Sequence, residues 1–268
     1  MKALVLTLKA SPAQRLDLSP LLPHLLAGKS VAEIAAIDVA TTREKISVGD
    51  VFTIAAGDSD EIRFEGGSER FDRIGRGLLS GRIVVNGDVG MEAGRQMSGG
   101  ALDVTGGTGP YAGSCMSGGH LEIGGDTGDF LGAPREGEMQ GMSGGMLIVR
   151  GSAGERPGDR LRRGTIVIEG HTGHCPGSRM IAGTLVVLGR CGAHPGYLMK
   201  RGTIALAKPP VLGATFVDSG QSASSFPGVF ARLLQAESRG AAKLFKGSLR
   251  RYSGDMAALG KGEIFVPA

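Results

Sequence analysis

Residues 96–109 read QMSGGALDVTGGTG, and residues 115–128 read CMSGGHLEIGGDTG, the same phrase restarted nineteen residues later. The echo extends both ways. A glycine precedes an apolar run at 81, 100, 119, 145, 164, 183 and 202, in steps of nineteen except for one of twenty-six. The longer step holds a seven-residue insertion in the stretch APREGEMQG, between Gly132 and Met142. Three further glycine columns keep register: one runs Gly87, Gly106, Gly125, Gly151, Gly170 and Gly189, and the second lies three residues on. The third runs Gly94, Gly113, Gly132, Gly158, Gly177 and Gly196.

After each leading glycine, alternation of period two puts Ile83/Val85, Leu102/Val104, Leu121/Ile123, Leu147/Val149, Ile166/Ile168, Leu185/Val187 and Ile204/Leu206 on one face. A second ladder precedes it: Met97, Met116, Met142, Leu161, Met180 and Met199. A unit with one clear strand and glycine corners cannot bury its own apolar face, so successive units must stack. No segment of the unit holds a helical period. The pattern predicts an all-β chain, a right-handed parallel β-helix solenoid with 19-residue coils. Seven coils at about 4.8 Å each give a rod on the order of 35 Å long. Glycine supplies the positive-φ corners and lets neighbouring backbones approach.

Three segments follow: 1–45 as an N-terminal cap, 46–206 as the β-helix and 207–268 as a C-terminal cap, so that small mixed α/β segments flank the solenoid. ALVLTLK in the N-terminal cap is strand-like, and SPLLPHLLAG reads as a capped helix ending at Gly28. VFTIAAG (51–57) and EIRFEGG (61–67) read as two less regular coils ahead of the array. At the far end, 224–245 is the best helix candidate, with Val229, Phe230, Leu233 and Leu234 on one stripe.

Composition narrows the class. With 41% apolar residues a real core is possible, while 47 glycines and 4% aromatics fit a repeat that reuses glycine at fixed corners. A net charge of +4 with no basic block speaks against nucleic acid. No apolar run is long enough to span a membrane and no signal segment is visible, so a cytoplasmic protein is expected. Three cysteines, Cys115, Cys175 and Cys191, suit a reducing compartment.

Outward positions carry the functional question. Thr165, Thr184 and Thr203 read as a solvated ladder. The next outward column runs Val84, Asp103, Glu122, Ile148, Val167, Val186, Ala205. The four apolar entries at its C-terminal end need covering, either by the chain's own C-terminal helix or by another subunit. HTGHC (171–175) and CGAH (191–194) have zinc-ligand residue types. Yet Cys191 stands in the column of Val89, Thr108, Ala153 and Thr172 and reads as a small corner filler, and Cys175 stands in that of Tyr111, Phe130 and His194, a variable surface position, so no metal is expected. The MSGG serines recur coil after coil, and no nucleophile constellation survives. Asp103 and Glu122 pair carboxylates in adjacent coils, but three Tyr and no Trp leave a carbohydrate cleft without sugar platforms. No catalytic residue is expected.

The pattern G-x-x-G-x-x-x-G at this period, as in GDVGMEAG, GGTGPYAG and GHTGHCPG, resembles the C-terminal β-helix domain of the glutamate synthase large subunit. Across essentially 1–268 the chain resembles the C-subunit family of formylmethanofuran dehydrogenase more closely. The residues that carry this are the repeated MSGG, the insertion DFLGAPREGEMQGMSGG, the DSD and IRFEGG approach, and the ending GDMAALGKGEIFV. In methanogenic archaea that subunit belongs to a molybdenum or tungsten formylmethanofuran dehydrogenase. In methylotrophic bacteria its relative belongs to a formyltransferase/hydrolase complex that moves a formyl group from formyl-tetrahydromethanopterin to a methanofuran analogue and releases formate. An excess of Arg over Lys and a single Asn, Asn86, suggest a GC-rich bacterial genome and the bacterial complex. The resemblance implies a non-catalytic structural subunit in one-carbon metabolism. Its implied partners are an amidohydrolase-like subunit, a formyltransferase subunit and a further subunit. The implied cofactor is a methanofuran analogue held in the complex, none being assigned to this chain itself; a cofactor-tail-binding role is the alternative.

Six basic residues, Arg160, Arg162, Arg163, Arg179, Lys200 and Arg201, fall in three adjacent columns of three consecutive coils. They form a solvated face, a docking surface for an acidic partner, or a contact for the glutamyl tail that the resemblance implies. Alternation within each segment can divide them between sides.

Overall fold

The computed structural model describes residues 2–222 and 226–268 and is mostly β. The N-terminal region holds β1 (Ala3–Leu8), β2 (Leu16–Asp17), α1 (Pro23–Leu26), α2 (Val31–Ala35), α3 (Val48–Val51), β3 (Phe52–Ala55), β4 (Asp58–Glu65) and β5 (Phe71–Asp72). The repeat supplies β6 (Arg82–Asn86), β7 (Ala101–Val104), β8 (His120–Ile123), β9 (Ser143–Val149), β10 (Arg163–Ile168), β11 (Thr184–Val187) and β12 (Arg201–Leu206). The C-terminal region adds β13 (Val217–Gln221), α4 (Phe226–Leu234), α5 (Arg239–Lys246), β14 (Leu249–Gly254) and β15 (Lys261–Pro267). Among the described residues the strands make one thirteen-stranded sheet, β13-β14-β15-β12-β11-β10-β9-β8-β7-β6-β4-β1-β3, and a two-stranded β2-β5 pair.

From β6 to β12 every neighbour is parallel, and the register follows the repeat: Ile83, Leu102, Leu121, Leu147, Ile166, Leu185 and Ile204 stand opposite one another in turn. All seven are fully buried, as is the ladder Met97, Met116, Met142, Leu161, Met180 and Met199. The insertion changes the offset between β8 and β9 without disturbing that register. A second line of parallel bridges joins Ser68, Val89, Thr108, Thr127, Ala153 and Thr172, so each unit meets its neighbours along two lines.

The corners are tighter than glycine alone explains. Gly119 takes φ +82°, and a Cβ there would lie 2.7 Å from the Gly99 carbonyl oxygen. Non-glycine residues hold left-handed backbone as well: Tyr111, Phe130, Arg156, Cys175 and His194 in one column, Cys115, Arg160, Arg179 and Leu198 in a second. Each costs roughly 1–2 kcal/mol, which the stacked layers must offset.

At the N-terminal end, EIRFEGG lies in β4, which pairs in parallel with β6. VFTIAAG is not a coil: β3 runs antiparallel to β1, which itself lies parallel to β4, and so ends the sheet. The expected helix before Gly28 is the single turn α1, and Gly28 takes φ +74°.

The chain's own C-terminal segment covers the apolar outer column. Ile148, Val167, Val186 and Ala205 are fully buried in a second core with Phe230, Ala231 and Leu234 of α4 and Ala241, Ala242 and Phe245 of α5. The expected single helix is thus two, and its first residues, Ser224 and Ser225, lie outside the described residues. Ser238 causes the break: its hydroxyl caps α5 by accepting from the Ala241 N–H and donates to Glu169. Arg150 also donates to the Glu237 carbonyl, tying this joint to the sheet. The buried stripe of α4 is Pro227, Phe230, Ala231 and Leu234, while Val229 and Leu233 face outward. Thr165, Thr184 and Thr203 are buried, not solvated. Alternation puts them on the same covered face as Val167, Val186 and Ala205, and Thr203 donates to Glu263 of β15.

Candidate functional site

The six basic residues follow directly from the units that carry them. In each unit the buried Leu161, Met180 or Met199 is followed by two outward residues and then a positive-φ glycine, Gly164, Gly183 or Gly202. Arg162, Arg163, Lys200 and Arg201 occupy those outward places and are exposed. None of the four forms an ion pair among the described residues. Arg160 and Arg179 sit one corner earlier, in left-handed backbone. Arg160 donates to the Glu138 carbonyl at 2.8 Å. Arg179 Nε donates to Asp159 at 2.9 Å, and that hydrogen bond holds the guanidinium above its ordinary pKa. Asp159 is buried and also accepts from the Ser178 hydroxyl.

One member escaped the sequence reading. Lys261, exposed on β15, stands directly opposite Arg201 across the parallel β12–β15 pair. The signal was present, since KGEIFV repeats the form of RGTIAL. Arg162, Arg163, Lys200, Arg201 and Lys261 are therefore cations with no carboxylate partner among the described residues, a surface that attracts anions.

A second polar centre lies under the insertion. Arg95 is buried; it donates to Ser114 Oγ at 2.9 Å and pairs with Glu138. Glu92, also buried, meets Arg135 at 2.9 Å, Arg73 at 3.2 Å and Arg95 at 3.8 Å. Arg135 also lies 4.7 Å over the Tyr111 ring, which stacks on Phe130 at 5.0 Å. These contacts fold the insertion back onto the corners of the preceding units. Burial opposes ionisation of Glu138, but hydrogen bonds from Arg95, Cys115 and the Arg135 N–H outweigh it and hold its pKa at about 2. Burial, and then Glu138 itself at 3.0 Å, push the Cys115 thiol up to about 11. It is a protonated donor, not a nucleophile.

This carboxylate carries a pH dependence with a defined sign. Its folded pKa lies below its ordinary 4.5, so its contribution is full above about 4.5 and is lost as pH falls toward about 2. Glu138→Gln should lower the melting temperature at neutral pH, and the gap to wild type should close through that acid window. A gap that stays constant to pH 3, roughly midway in that window, would refute the role.

His171 and His174 serve the backbone. His171 Nδ1 accepts from the Arg190 N–H at 2.8 Å, and His174 Nδ1 from the Ala193 N–H at 3.1 Å, each one unit on. Cys191 packs against the core, and burial pushes its thiol up to about 11. No group of three His, Cys, Asp or Glu among the described residues could hold a metal ion. Asp103 pairs with Arg82, and Glu122 with Arg150. No described helix is long and apolar enough to cross a membrane.

No family model matches the sequence. The C subunit of the formyltransferase/hydrolase complex of Methylorubrum extorquens is 44% identical over 85 residues, 32% of this chain and 32% of that protein. The C subunit of the tungsten-containing formylmethanofuran dehydrogenase 2 of Methanothermobacter wolfeii is 35% identical over 99 residues, 35% of this chain and 37% of its own. These sequence matches span about a third of the length of the curated relatives. The structural match is longer. A chain in the crystal structure of the Methylorubrum extorquens formyltransferase/hydrolase complex, determined with methylofuran, superposes with a TM-score of 0.95 at 44% identity. The superposition covers 98% of this chain and 99% of that one. With identity at that level over nearly the whole length, the chain belongs to the C-subunit family of the formyltransferase/hydrolase complexes.

Proposed function

We propose that this chain is the non-catalytic, structural subunit of a formyltransferase/hydrolase complex that moves a formyl group from formyl-tetrahydromethanopterin to a methanofuran analogue and releases formate. The observation that carries the reading is the near full-length superposition, at 44% identity, on a chain of such a complex solved with methylofuran. The match to the C subunit of a formylmethanofuran dehydrogenase is lower in identity, 35% against 44%, which favours the bacterial type of complex over the archaeal one. The partners in this reading are an amidohydrolase-like subunit, a formyltransferase subunit and a further subunit, in the cytoplasm. The repeated units close into a right-handed parallel β-helix that begins at β4 and runs to residue 206, with the segments before it and 207–268 as caps. The two parallel lines of pairing, both keeping the period of the repeat, support that winding.

The exposed cations Arg162, Arg163, Lys200 and Arg201, with Lys261 added, serve an acidic partner surface or the glutamyl tail of the cofactor. Arg160 contributes through its hold on the insertion, and Arg179 through its pairing with the buried Asp159. Co-expression with the partner subunits tests both levels. The partners should be retained, and formyl transfer and hydrolysis should appear in the complex and not in the purified chain alone. Turnover by the single chain would overturn the structural role. In the same complex, the triple Arg162→Glu, Arg163→Glu, Arg201→Glu should cost at least tenfold in retained partner or cofactor, with a dependence on salt. Lost assembly identifies docking, and intact assembly with depleted cofactor identifies the tail. No change in either makes these residues a solvated face.

A further inference from the structure

We infer that the outer face of α4, with the cations around it, is a docking surface for another subunit of the complex, one that presents an apolar contact ringed by carboxylates. The inference rests on the subunit reading above and assigns it a second surface, on the C-terminal segment.

Val229 and Leu233 lie one turn apart on α4 and are 63% and 56% exposed. Their neighbours Phe230, Ala231 and Leu234 are buried against the sheet, so α4 is apolar on two faces and its own chain uses one. Exposed apolar residues scattered singly mean little, but a pair aligned on one helical turn has the form of an interface centre.

The charge around them selects the occupant. Between 226 and 248 the chain carries Arg232, Arg239, Lys243 and Lys246 against one acid, Glu237. Glu237 turns inward, its carboxylate 3.7 Å from His120 and its carbonyl accepting from Arg150. Lys246 is held by the Gln235 side chain, whereas Arg232, Arg239 and Lys243 are exposed with no ion pair among the described residues. The unpaired charge of this segment is thus uniformly positive. A second copy would bring the same charges face to face, which opposes a self-complementary contact. A lipid surface would find only two outward apolar side chains on a nine-residue helix, too few for stable insertion. An acidic protein surface satisfies both the centre and the rim.

The test uses the full chain co-expressed with its partner subunits. Leu233→Glu and Val229→Glu, both at exposed positions and checked for an unchanged melting temperature, should reduce retained partner at least tenfold. Arg232→Glu with Lys243→Glu should weaken assembly as well and flatten its salt dependence. Hydrogen exchange across 226–236 should slow in the wild-type complex relative to the free chain. If wild type retains its partners while these variants assemble equally well and exchange is unaltered, the docking surface is wrong and the subunit reading stands. A free-chain dimer abolished by Leu233→Glu, or sedimentation with phosphatidylserine vesicles that the same variant abolishes, would also overturn it. If the wild-type chain retains no partner, the subunit reading itself fails.

Discussion

Leu121→Asp is expected to abolish cooperative folding. Leu121 stands at the middle of the parallel array, between Leu102 and Leu147, with no exposure to solvent. A Cβ placed on Gly94 would lie 3.0 Å from Leu121 Cδ2, so the side chain fills the space up to a neighbouring corner. An unpaired carboxylate there costs several kcal/mol even after it takes up a proton, and the lost apolar contacts add about 2–5 kcal/mol. The sum rivals the roughly 5–15 kcal/mol that holds a typical domain together. The check is circular dichroism with a thermal melt of the soluble fraction. A soluble protein with an unshifted cooperative transition would mean that this column does not point inward. Leu121→Ala separates the two contributions, since it makes the cavity without the charge.

The second large effect comes from adding one methyl group. Gly192 is not in the positive-φ region, yet a Cβ there would stand 2.0 Å from the Gly173 carbonyl oxygen and 2.4 Å from its carbon. Those atoms belong to the backbone of the preceding unit and cannot rotate away. Gly192→Ala must therefore push adjacent stacked layers apart, and a loss of about 3 kcal/mol, the upper end of what overpacking typically costs, is expected. Gly213→Ala is the matched control, because its nearest neighbour would be Thr215 Oγ1 at 3.8 Å. Its effect should stay within about 0.5 kcal/mol. Equal melting temperatures for the two variants would show that the layers are not in the contact described.

The two substitutions mark what the sequence could and could not reveal. Inward columns were legible because burial on one face of a stacked strand forces period two, and a fixed unit length carries that pattern from Ile83 to Ile204. The glycines were legible as columns, but two causes were mixed in them. Gly119 answers to a positive φ, Gly192 to a backbone neighbour, and one sequence cannot separate the two. Left-handed corners at Tyr111, Cys115 and Arg179 gave no sign, because those residue types carry no such preference. The break at Ser238 was hidden because its cause is a contact with Glu169, sixty-nine positions away. The threonine ladder was misread for a related reason: its cover comes from a distant stretch of the chain. Other signals were present and unused, such as Ser30-Val-Ala-Glu33, the capping box that opens α2. Of the candidate site, the exposed arginines were readable from their place after the buried ladder. The involvement of Arg160 with the insertion was not, because the stretch that holds the seven extra residues lies outside the period and has no register from which to infer its contacts.

The borders of the sheet bear on the behaviour of the chain at high concentration. Parallel strands stacked in register are also how amyloid fibrils add monomers, each layer serving as template for the next. Here that geometry is enclosed within one molecule. β3 closes one border and β13 the other, and both run antiparallel to their neighbours. The pairing of β13 slips between Asp218 and Gln221, where Gly220 takes φ +76°. An arriving molecule finds at either end a short reversed strand, and at β13 a broken one, so the repeat cannot be continued across two chains. Reversal and misregister at the rims make a templating architecture self-limiting, and the number of stacked strands is fixed by the gene and not by mass action.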